Sequence, residues 1–311
     1  CGWLSRGLGD VYKRQDFDSY HPDVKLFNVL DSGKVIARFY LDLYARPKKQ
    51  GGAWMDDCRV RRQRGDHLQL PVAYLTCNFT PPVGDQPALL THDELITLFH
   101  EFGHGLHHML TQQTVAAISG INGVAWDAVE LPSQFLENWC WEPEALAFIS
   151  GHHETGEPLP AQLLEKMLAA RNFGSAMQMV RQLEFALFDF QLHLNWKGGD
   201  AADVQRVLDT VREKVCVVPT PDYNRFQNGF SHIFAGGYAA GYYSYKWAEV
   251  LSADAYSRFE EEGIFNPETG ASFQREVLAV GGAREAMEAF VAFRGREPDI
   301  APLLRHSGIA A

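Results

Sequence analysis

The sequence predicts a mainly α-helical protein with a small β-sheet, and three observations support this fold class. Residues 35–44 and 70–79 alternate apolar and polar positions and are rich in β-branched and aromatic side chains, which is typical of strands. Beyond residue 91 the apolar positions recur at helical spacing, with only short breaks. The string His-Glu-Phe-Gly-His at 100–104 places two histidines on one face of a helix. A helix that follows a sheet therefore carries a pair of possible metal ligands.

This helix is predicted to begin at Thr91. Thr91 and Glu94 are spaced as a capping box, in which each side chain hydrogen-bonds the main chain of the other residue. Gly103 and Gly105 each cost about 1 kcal/mol relative to alanine in a helix interior. We therefore expect another segment to press against the backbone there. The apolar residues that follow the cap form one wide face: Leu95, Ile96, Leu98, Phe99, Phe102, Leu106 and Met109.

His100 and His104 are spaced to bind one metal ion from this helix. Glu101 follows the first of them, where its carboxylate can take a proton from a metal-bound water. His107 and His108 complicate the pattern, because His104 and His108 also lie four residues apart. Only the first pair has a glutamate directly after its leading histidine, so we interpret the two later histidines as supporting residues. A small sheet followed by such a helix is the architecture of zincin peptidases.

The rest of the chain is predicted to be helical, without an internal repeat or a long linker. The predicted helices span 127–149, 161–170, 173–196, 202–214, 239–262 and 272–294. We therefore predict one catalytic domain, residues 16–311. The first fifteen residues, CGWLSRGLGDVYKRQ, have no clear period, and we interpret residues 1–15 as a non-native segment, with a native terminus as the alternative.

Composition excludes several classes of function. Lys and Arg total 28 against 39 Asp and Glu, a net charge of −11, which argues against a nucleic-acid partner. No apolar run approaches the roughly 18 residues needed to span a bilayer, and no segment has the layout of a signal peptide. The five cysteines are odd in number and include no CxxC pair, which fits a reducing compartment. We expect a cytoplasmic monomer without a membrane partner.

A catalytic zinc site usually has three protein ligands, so a third is needed. Glu130 and Glu137 lie seven residues apart on one face of the next predicted helix, and Glu130 is the ligand that we favour. Glu137 could hold a ligand histidine in its orientation, or could be a surface carboxylate. A third histidine, as in HExxHxxGxxH, fails because position 107 is His and position 110 is Leu.

A second candidate segment runs from Ser231 to residue 245. Gly236 and Gly237 form a flexible turn, and Tyr238, Tyr242 and Tyr245 follow at i, i+4 and i+7, which predicts one helical stripe of phenols. Phenols near a hinge can hydrogen-bond a developing oxyanion. Packing in a core or interface is the alternative. The preceding His232 and the glycine-rich loop favour a functional role.

These motifs resemble the thimet oligopeptidase family of zinc peptidases. The resemblance rests on residues 100–104, on VELPSQFLENW around Glu130, and on SHIFAGGYAAGYYSYKW. It extends through YLDLYAR, GGAWMDDC, PVAYLTCNF and FRGREPDI, so it covers roughly residues 16–311. It implies a zincin fold of the neurolysin and thimet oligopeptidase type, with a deep channel between two lobes and zinc on its floor. Family members also have a large helical N-terminal region, which this chain lacks.

The resemblance also implies roles for individual residues. His100, His104 and Glu130 would bind one zinc ion per chain, with Glu101 as the general base. His232 would be a catalytic residue that contacts the substrate. Tyr238 would also contact the substrate, and Tyr242 would bind it. Tyr245 would donate a hydrogen bond to the transition state.

The activity that follows is a zinc-dependent endopeptidase that hydrolyses short, unstructured peptides, with Glu101 as general base on a zinc-bound water. A dipeptidyl carboxypeptidase of the same family is the first alternative. An inactive truncated fragment is the second, because the N-terminal lobe of the family is missing.

Overall fold

A five-stranded sheet, a separate two-stranded hairpin and eleven α-helices make up the computed structural model, which describes residues 12–15, 17 and 19–309. The strands are β1 Tyr12–Gln15, β2 Lys25–Asp31, β3 Lys34–Tyr44, β4 Trp54–Arg59, β5 Arg62–Arg64, β6 His67–Gln69 and β7 Val72–Phe79. The helices are α1 His92–Leu110, α2 Leu131–Glu137, α3 Pro143–Ile149, α4 Ala161–Ala170, α5 Ser175–Asn195, α6 Ala201–Val215, α7 Ser231–Phe234, α8 Ser244–Glu262, α9 Pro267–Phe273, α10 Ala286–Arg294 and α11 Ala301–His306. None of these helices is long and apolar enough to cross a membrane.

The sheet has the order β1-β2-β3-β7-β4. β3 and β7 are parallel, and the other pairs are antiparallel. The two strands predicted from alternation are therefore neighbours at the centre of the sheet. β4 occupies an edge, with Trp54 opposite Thr76 and Met55 opposite Leu75. β4 was not singled out as a strand from the sequence.

The segment 1–15 is described only from Tyr12 onward. Tyr12–Gln15 forms β1, which pairs with β2 along its whole length. Residues 1–11 lie outside the described part of the chain. The interpretation of this segment as non-native therefore stays a prediction.

α1 lies against the sheet on one side and against α2 on the other. Its capping box is present, because Thr91 Oγ1 accepts from the Glu94 main chain and the Glu94 carboxylate accepts from the Thr91 main chain. The core around it joins the sheet to α2, α8, α9 and α10. Its side chains are aromatic and aliphatic and include Phe39, Leu75, Phe102, Leu106, Phe135, Trp139, Phe259, Phe273 and Phe293.

The glycine in the middle of α1 is where α2 comes closest. A Cβ atom on Gly103 would lie 2.5 Å from Cα of Ser133 and would also overlap the carbonyl oxygen of Pro132. A Cβ on Gly105 would lie 3.0 Å from Cδ2 of Leu75, on the sheet side. The expectation that other segments press on this helix is confirmed. The contact at Gly103 brings the start of α2 directly beside the HExxH string.

Two long predicted helices are broken in the structure. Within the predicted helix 127–149 the structure has a turn over residues 127–130, then α2, a 3₁₀ turn at Asn138–Trp141, and α3. Pro143 explains the break before α3, because proline has no N–H to continue a helix and is tolerated only in its first turn. The predicted helix 272–294 contains the end of α9, a π-turn at Gln274–Leu278, a 3₁₀ turn at Gly281–Ala283, and α10.

Candidate active site

Three side chains from α1 and the start of α2 converge on one point. Nε2 of His100 and Nε2 of His104 lie 3.3 Å and 3.1 Å from the same oxygen of Glu130, Oε2. All three ligand atoms lie within 4.8 Å of one another. Glu130 directly precedes α2, so the close approach at Gly103 carries this carboxylate to the two imidazoles.

The chemistry of this group fits a divalent metal. Two imidazole nitrogens and one carboxylate oxygen are the ligand set of a three-ligand catalytic zinc site. Burial alone would raise the pKa of Glu130, but His104 and His100 hold it well below its ordinary value. Burial would lower the pKa of His100, yet hydrogen bonds with Glu130 and Glu137 raise it to about 10. The carboxylates of Glu130 and Glu137 therefore favour a positive charge beside them.

Neighbouring side chains hold two of these groups in place. Oε1 of Glu137 lies 2.6 Å from Nδ1 of His100, which leaves Nε2 of that ring directed at Glu130. The Ser133 hydroxyl donates to Oε2 of Glu130 at 2.9 Å. The structure therefore puts Glu137 where the sequence suggested that it could hold a ligand histidine. Ser133 was not anticipated, although its position three residues after Glu130 on a helix start is a readable signal.

Glu101 lies next to the group and is buried. Burial raises the pKa of its carboxyl, while the nearby His100 and His104 and a hydrogen bond from the Met55 main chain lower it, and the net result is a raised pKa. A carboxylate with a raised pKa is a better proton acceptor than an exposed one. Its position and environment suit general-base chemistry.

A cavity of about 520 Å³ opens over these residues. One wall is formed by residues 50–55, which lead into and begin the edge strand β4. The facing wall comes from the segment before α2 and from the loop around α7. The lining side chains are Trp54, Met55, His100, Glu101, His104, Ile121, Trp126, Val129, Glu130, Ser231, His232, Tyr238 and Tyr245.

Tyr238 touches the ligand group itself. Its hydroxyl donates to Oε1 of Glu130 at 2.8 Å. Its ring stacks on Trp126 at 4.7 Å and on Tyr245 at 5.0 Å between centroids. Burial and the charge of Glu130 raise the pKa of Tyr238, so the phenol stays a donor. Trp126 is a further cavity residue that no sequence motif indicated.

The three tyrosines do not form a helical stripe, so that prediction is wrong. α8 begins at Ser244, and Ala240 has a φ of +55°, which interrupts any helix before it. Tyr245 lies in α8 and lines the cavity, whereas Tyr242 is buried beneath the loop with its hydroxyl 3.1 Å from Oε1 of Gln182. Burial, followed by the charge of Glu130, raises the pKa of Tyr245, which keeps it protonated as a hydrogen-bond donor.

His107 and His108 are buried behind the site. Nε2 of His108 lies 2.9 Å from the carbonyl oxygen of Arg59. Burial lowers the pKa of His107 to about 3, so this ring is neutral. Neither belongs to the group of His100, His104 and Glu130, in agreement with their interpretation as supporting residues.

The sequence matches Peptidase family M3 over residues 8–309. The chain belongs to peptidase family M3. The resemblance found on its motifs is thereby confirmed, as is the mainly α zincin fold with a small sheet. The match begins at residue 8, within the segment that we interpreted as non-native.

Two relatives and one solved structure illustrate what this M3 chain is similar to. Oligopeptidase A of Escherichia coli K12 is 62% identical over 299 residues, which are 96% of this chain and 44% of that protein. Dipeptidyl carboxypeptidase of Salmonella typhimurium is 39% identical over 99% of this chain and 45% of that protein. The structure of PZ peptidase A with inhibitor 2 has a TM-score of 0.58 at 15% identity, covering 86% of this chain and 42% of that one. The M3 chain thus spans less than half the length of these relatives.

Proposed function

We propose that this chain is the catalytic part of a zinc-dependent endopeptidase that hydrolyses short, unstructured peptides. The observation that carries the proposal is the convergence of His100, His104 and Glu130 beside the buried Glu101, all facing one cavity. Membership of a peptidase family and the 62% identity to an oligopeptidase A support the same activity.

Each residue of the site has a role in this reaction. Zinc held by His100, His104 and Glu130 would supply a Lewis acid that polarises the scissile carbonyl and makes the attacking water more acidic. Glu101 accepts a proton from that water and passes it to the leaving amine. Tyr245 donates a hydrogen bond to the carbonyl oxygen as negative charge grows on it.

Residues around this set bind the peptide or orient the ligands. His232 contacts the bound peptide at the cavity wall. Tyr238 donates to Glu130, and Glu137 orients His100. Tyr242 supports substrate binding indirectly, because its hydroxyl donates to Gln182 beneath the loop and so holds the segment between Tyr238 and α8 in place.

The cavity suits a peptide in extended conformation. Trp54 and Met55 begin β4, which pairs only with β7 among the described strands, and both line the cavity. A free strand edge can accept the main chain of an extended peptide, whereas most of the main chain of a folded protein is already hydrogen-bonded. This supports unstructured peptides as substrates.

The decisive experiment combines metal analysis with peptide cleavage. The chain is purified alone and also joined to the upstream half of the Escherichia coli relative, and zinc is counted by mass spectrometry under native conditions. We expect one zinc per chain in both forms and cleavage of an internally quenched fluorescent peptide in the joined form. Absence of zinc from both forms would refute the proposal, and zinc without cleavage in the joined form would refute the peptidase activity.

A dipeptidyl carboxypeptidase is a second candidate, favoured by the 39% identity to the Salmonella typhimurium enzyme over 99% of this chain. Peptides with free and amidated C-termini distinguish the two, because an endopeptidase cleaves both. An inactive fragment is a third, since the chain covers 44% of the length of oligopeptidase A. If the chain is an inactive fragment, only the joined form should cleave the peptide, and the chain purified by itself should not.

We also propose a cytoplasmic location and a monomeric state. The four cysteines in the described residues are all free thiols, as expected in a reducing compartment. Cell fractionation tests the location, and the mass of the purified protein in solution tests the monomer.

A further inference from the structure

A short turn connects the loop over the cavity to α8. It runs from residue 238 to residue 242 and is closed by a hydrogen bond from the Gly241 N–H to the Tyr238 carbonyl at 2.8 Å. Within it, Ala240 adopts a φ of +55°. This left-handed conformation costs a residue with a Cβ atom roughly 1–2 kcal/mol. The turn therefore needs stabilising contacts from elsewhere in the fold.

Asp189 of α5 supplies the main contact. Its side chain is completely buried, and its two oxygens accept hydrogen bonds from successive groups of the turn. Oδ1 accepts from the N–H of Ala240 at 2.8 Å, and Oδ2 accepts from the N–H of Tyr242 at 2.9 Å. A carboxylate with two main-chain N–H partners fixes the backbone on both sides of the strained residue.

The same helix holds the turn at a second point. The Tyr242 hydroxyl donates to Oε1 of Gln182 at 3.1 Å. The Tyr242 ring packs edge-on against Phe230 and Phe185, with centroids 4.9 Å and 6.0 Å apart. The turn is thus anchored to α5 by the carboxylate of Asp189, which bonds on both sides of Gly241, and by the ring and hydroxyl of Tyr242.

The carboxylate of Asp189 has few partners outside the turn. Among the described residues, His193 is the only basic side chain in contact with it, at 2.9 Å from Oδ1, and that ring also lies 2.9 Å from the Asp189 main-chain oxygen. No lysine or arginine of the described chain forms an ion pair with this carboxylate. A buried charge without a strong cation partner is costly, so its hydrogen bonds to the turn are its main compensation.

We propose that Asp189 is a positioning residue for the peptidase site. By fixing the turn it holds Tyr238 against Glu130, and it sets where α8 begins, at Ser244, one residue before Tyr245. The inference rests on the proposed function, and it assigns to α5 a part in the geometry of Tyr238 and Tyr245. The residue acts through the tyrosines and does not touch the substrate.

The test is Asp189→Asn in the zinc-loaded protein joined to the upstream half of its relative. The amide nitrogen of asparagine would meet one of the two N–H donors, so one hydrogen bond is lost. We expect about tenfold faster hydrogen exchange at Ala240 and Tyr242, since one buried hydrogen bond is broken. Misplacement of Tyr245 should lower kcat on the order of ten- to a hundredfold, with KM and zinc content close to wild type. Asp200→Asn is the matched control, because Asp200 also accepts two main-chain N–H groups but does so in the exposed cap of α6, outside the turn.

Trp126 provides a readout that does not need activity. It stacks on Tyr238 at 4.7 Å, so the difference in fluorescence between each protein and its Trp126→Phe version reports on that ring pair. Asp189→Asn should change this difference, and Asp200→Asn should not. Unchanged exchange and fluorescence in Asp189→Asn, or loosening of the turn with wild-type kcat, would overturn the proposal.

If Asp189→Asn does not fold, Gln182→Met tests instead whether anchoring of the turn to α5 positions the tyrosines. Methionine has a similar shape but removes the acceptor of the Tyr242 hydroxyl, at a half-buried position that tolerates the change. We expect the same changes in exchange and kcat, each only a few-fold, and no change in either would also overturn the proposal. If the joined wild-type protein has no peptidase activity, only the proposed function is refuted. Hydrogen exchange at the turn and Trp126 fluorescence would still test whether Asp189 holds the turn.

Discussion

Oε1 of Glu137 and Nδ1 of His100 lie 2.6 Å apart, and this contact decides which nitrogen of the ring faces Glu130. Carboxylates in this position fix the tautomer of a ligand histidine, and their loss typically weakens metal binding about 10- to 100-fold. We expect that loss of zinc affinity in Glu137→Ala, measured by competition with a chelator. Glu144→Ala is the control, because Glu144 is exposed on α3. Equal affinities in the two variants would contradict the role of Glu137.

Glu101→Gln should keep the metal and lose most of the turnover. The amide cannot accept a proton from water, and loss of a general base costs about a hundredfold or more in kcat. Zinc content and peptide cleavage are measured on the same sample. Asp93→Asn on the exposed start of α1 serves as the control. Near wild-type turnover in Glu101→Gln would refute the mechanism.

Tyr238→Phe and Tyr245→Phe should have different effects, although the two rings stack on each other. Tyr238→Phe removes the hydrogen bond to Glu130, so we expect a several-fold loss of zinc affinity. Tyr245→Phe should leave zinc affinity unchanged and lower kcat more than it raises KM, because its hydrogen bond strengthens only as the oxyanion forms. If Tyr245→Phe changes only the melting temperature, Tyr245 is a packing residue.

Gly103→Ala should destabilise the protein, whereas Gly105→Ala should have a small effect. The methyl group at 103 would overlap the main chain of Pro132 and Ser133, which cannot move without shifting α2. Overpacking of this kind costs roughly 1–3 kcal/mol or more. At 105 the neighbour is the end of a flexible leucine side chain, and alanine gains about 1 kcal/mol of helix propensity. Urea unfolding of both variants measures the difference, and equal losses would show that the backbone contact is unimportant.

Asp254 should stabilise the fold at neutral pH and lose that contribution in acid. Burial alone would raise its pKa, but Arg296, the Asp299 N–H and Arg294 bring it below its ordinary value. The pKa is therefore lower in the folded than in the unfolded state, so the stabilising contribution is full above the unfolded pKa and falls as the pH drops through the folded one.

The difference in free energy of unfolding between wild type and Asp254→Asn should accordingly shrink as the pH falls below the ordinary aspartate pKa of 3.8. Urea titrations at several pH values measure it, with Asp93→Asn as an exposed control. A difference that stays constant with pH would show that Asp254 acts through packing alone.

The parts of the site that the sequence predicted depend on local spacing. The capping box at Thr91, the two histidines of α1 and the pair Glu130 and Glu137 all follow from positions three to seven residues apart. Helix geometry alone is enough to bring such residues to one face.

The parts that it missed depend on distant contacts. The turn at Ala240 is held by Asp189, 51 residues earlier in the chain, and the spacing of the tyrosines contains no trace of that bond. β4 pairs with β7, and its partly exposed residues do not alternate as a strand buried on one face would. Pro132 and Pro143 could have been read directly as the starts of two shorter helices within 127–149.

The contact between Gly103 and the start of α2 also affects how the protein takes up its metal. The main chain of α1 packs directly against the main chain of α2 there. The spacing of the two helices therefore does not depend on the rotamer of any side chain. The histidines and Glu130 are consequently pre-organised, and only a few side-chain torsions remain to be ordered when an ion arrives. Little conformational entropy is lost on loading, which favours tight binding by the empty protein and slow release from the filled one.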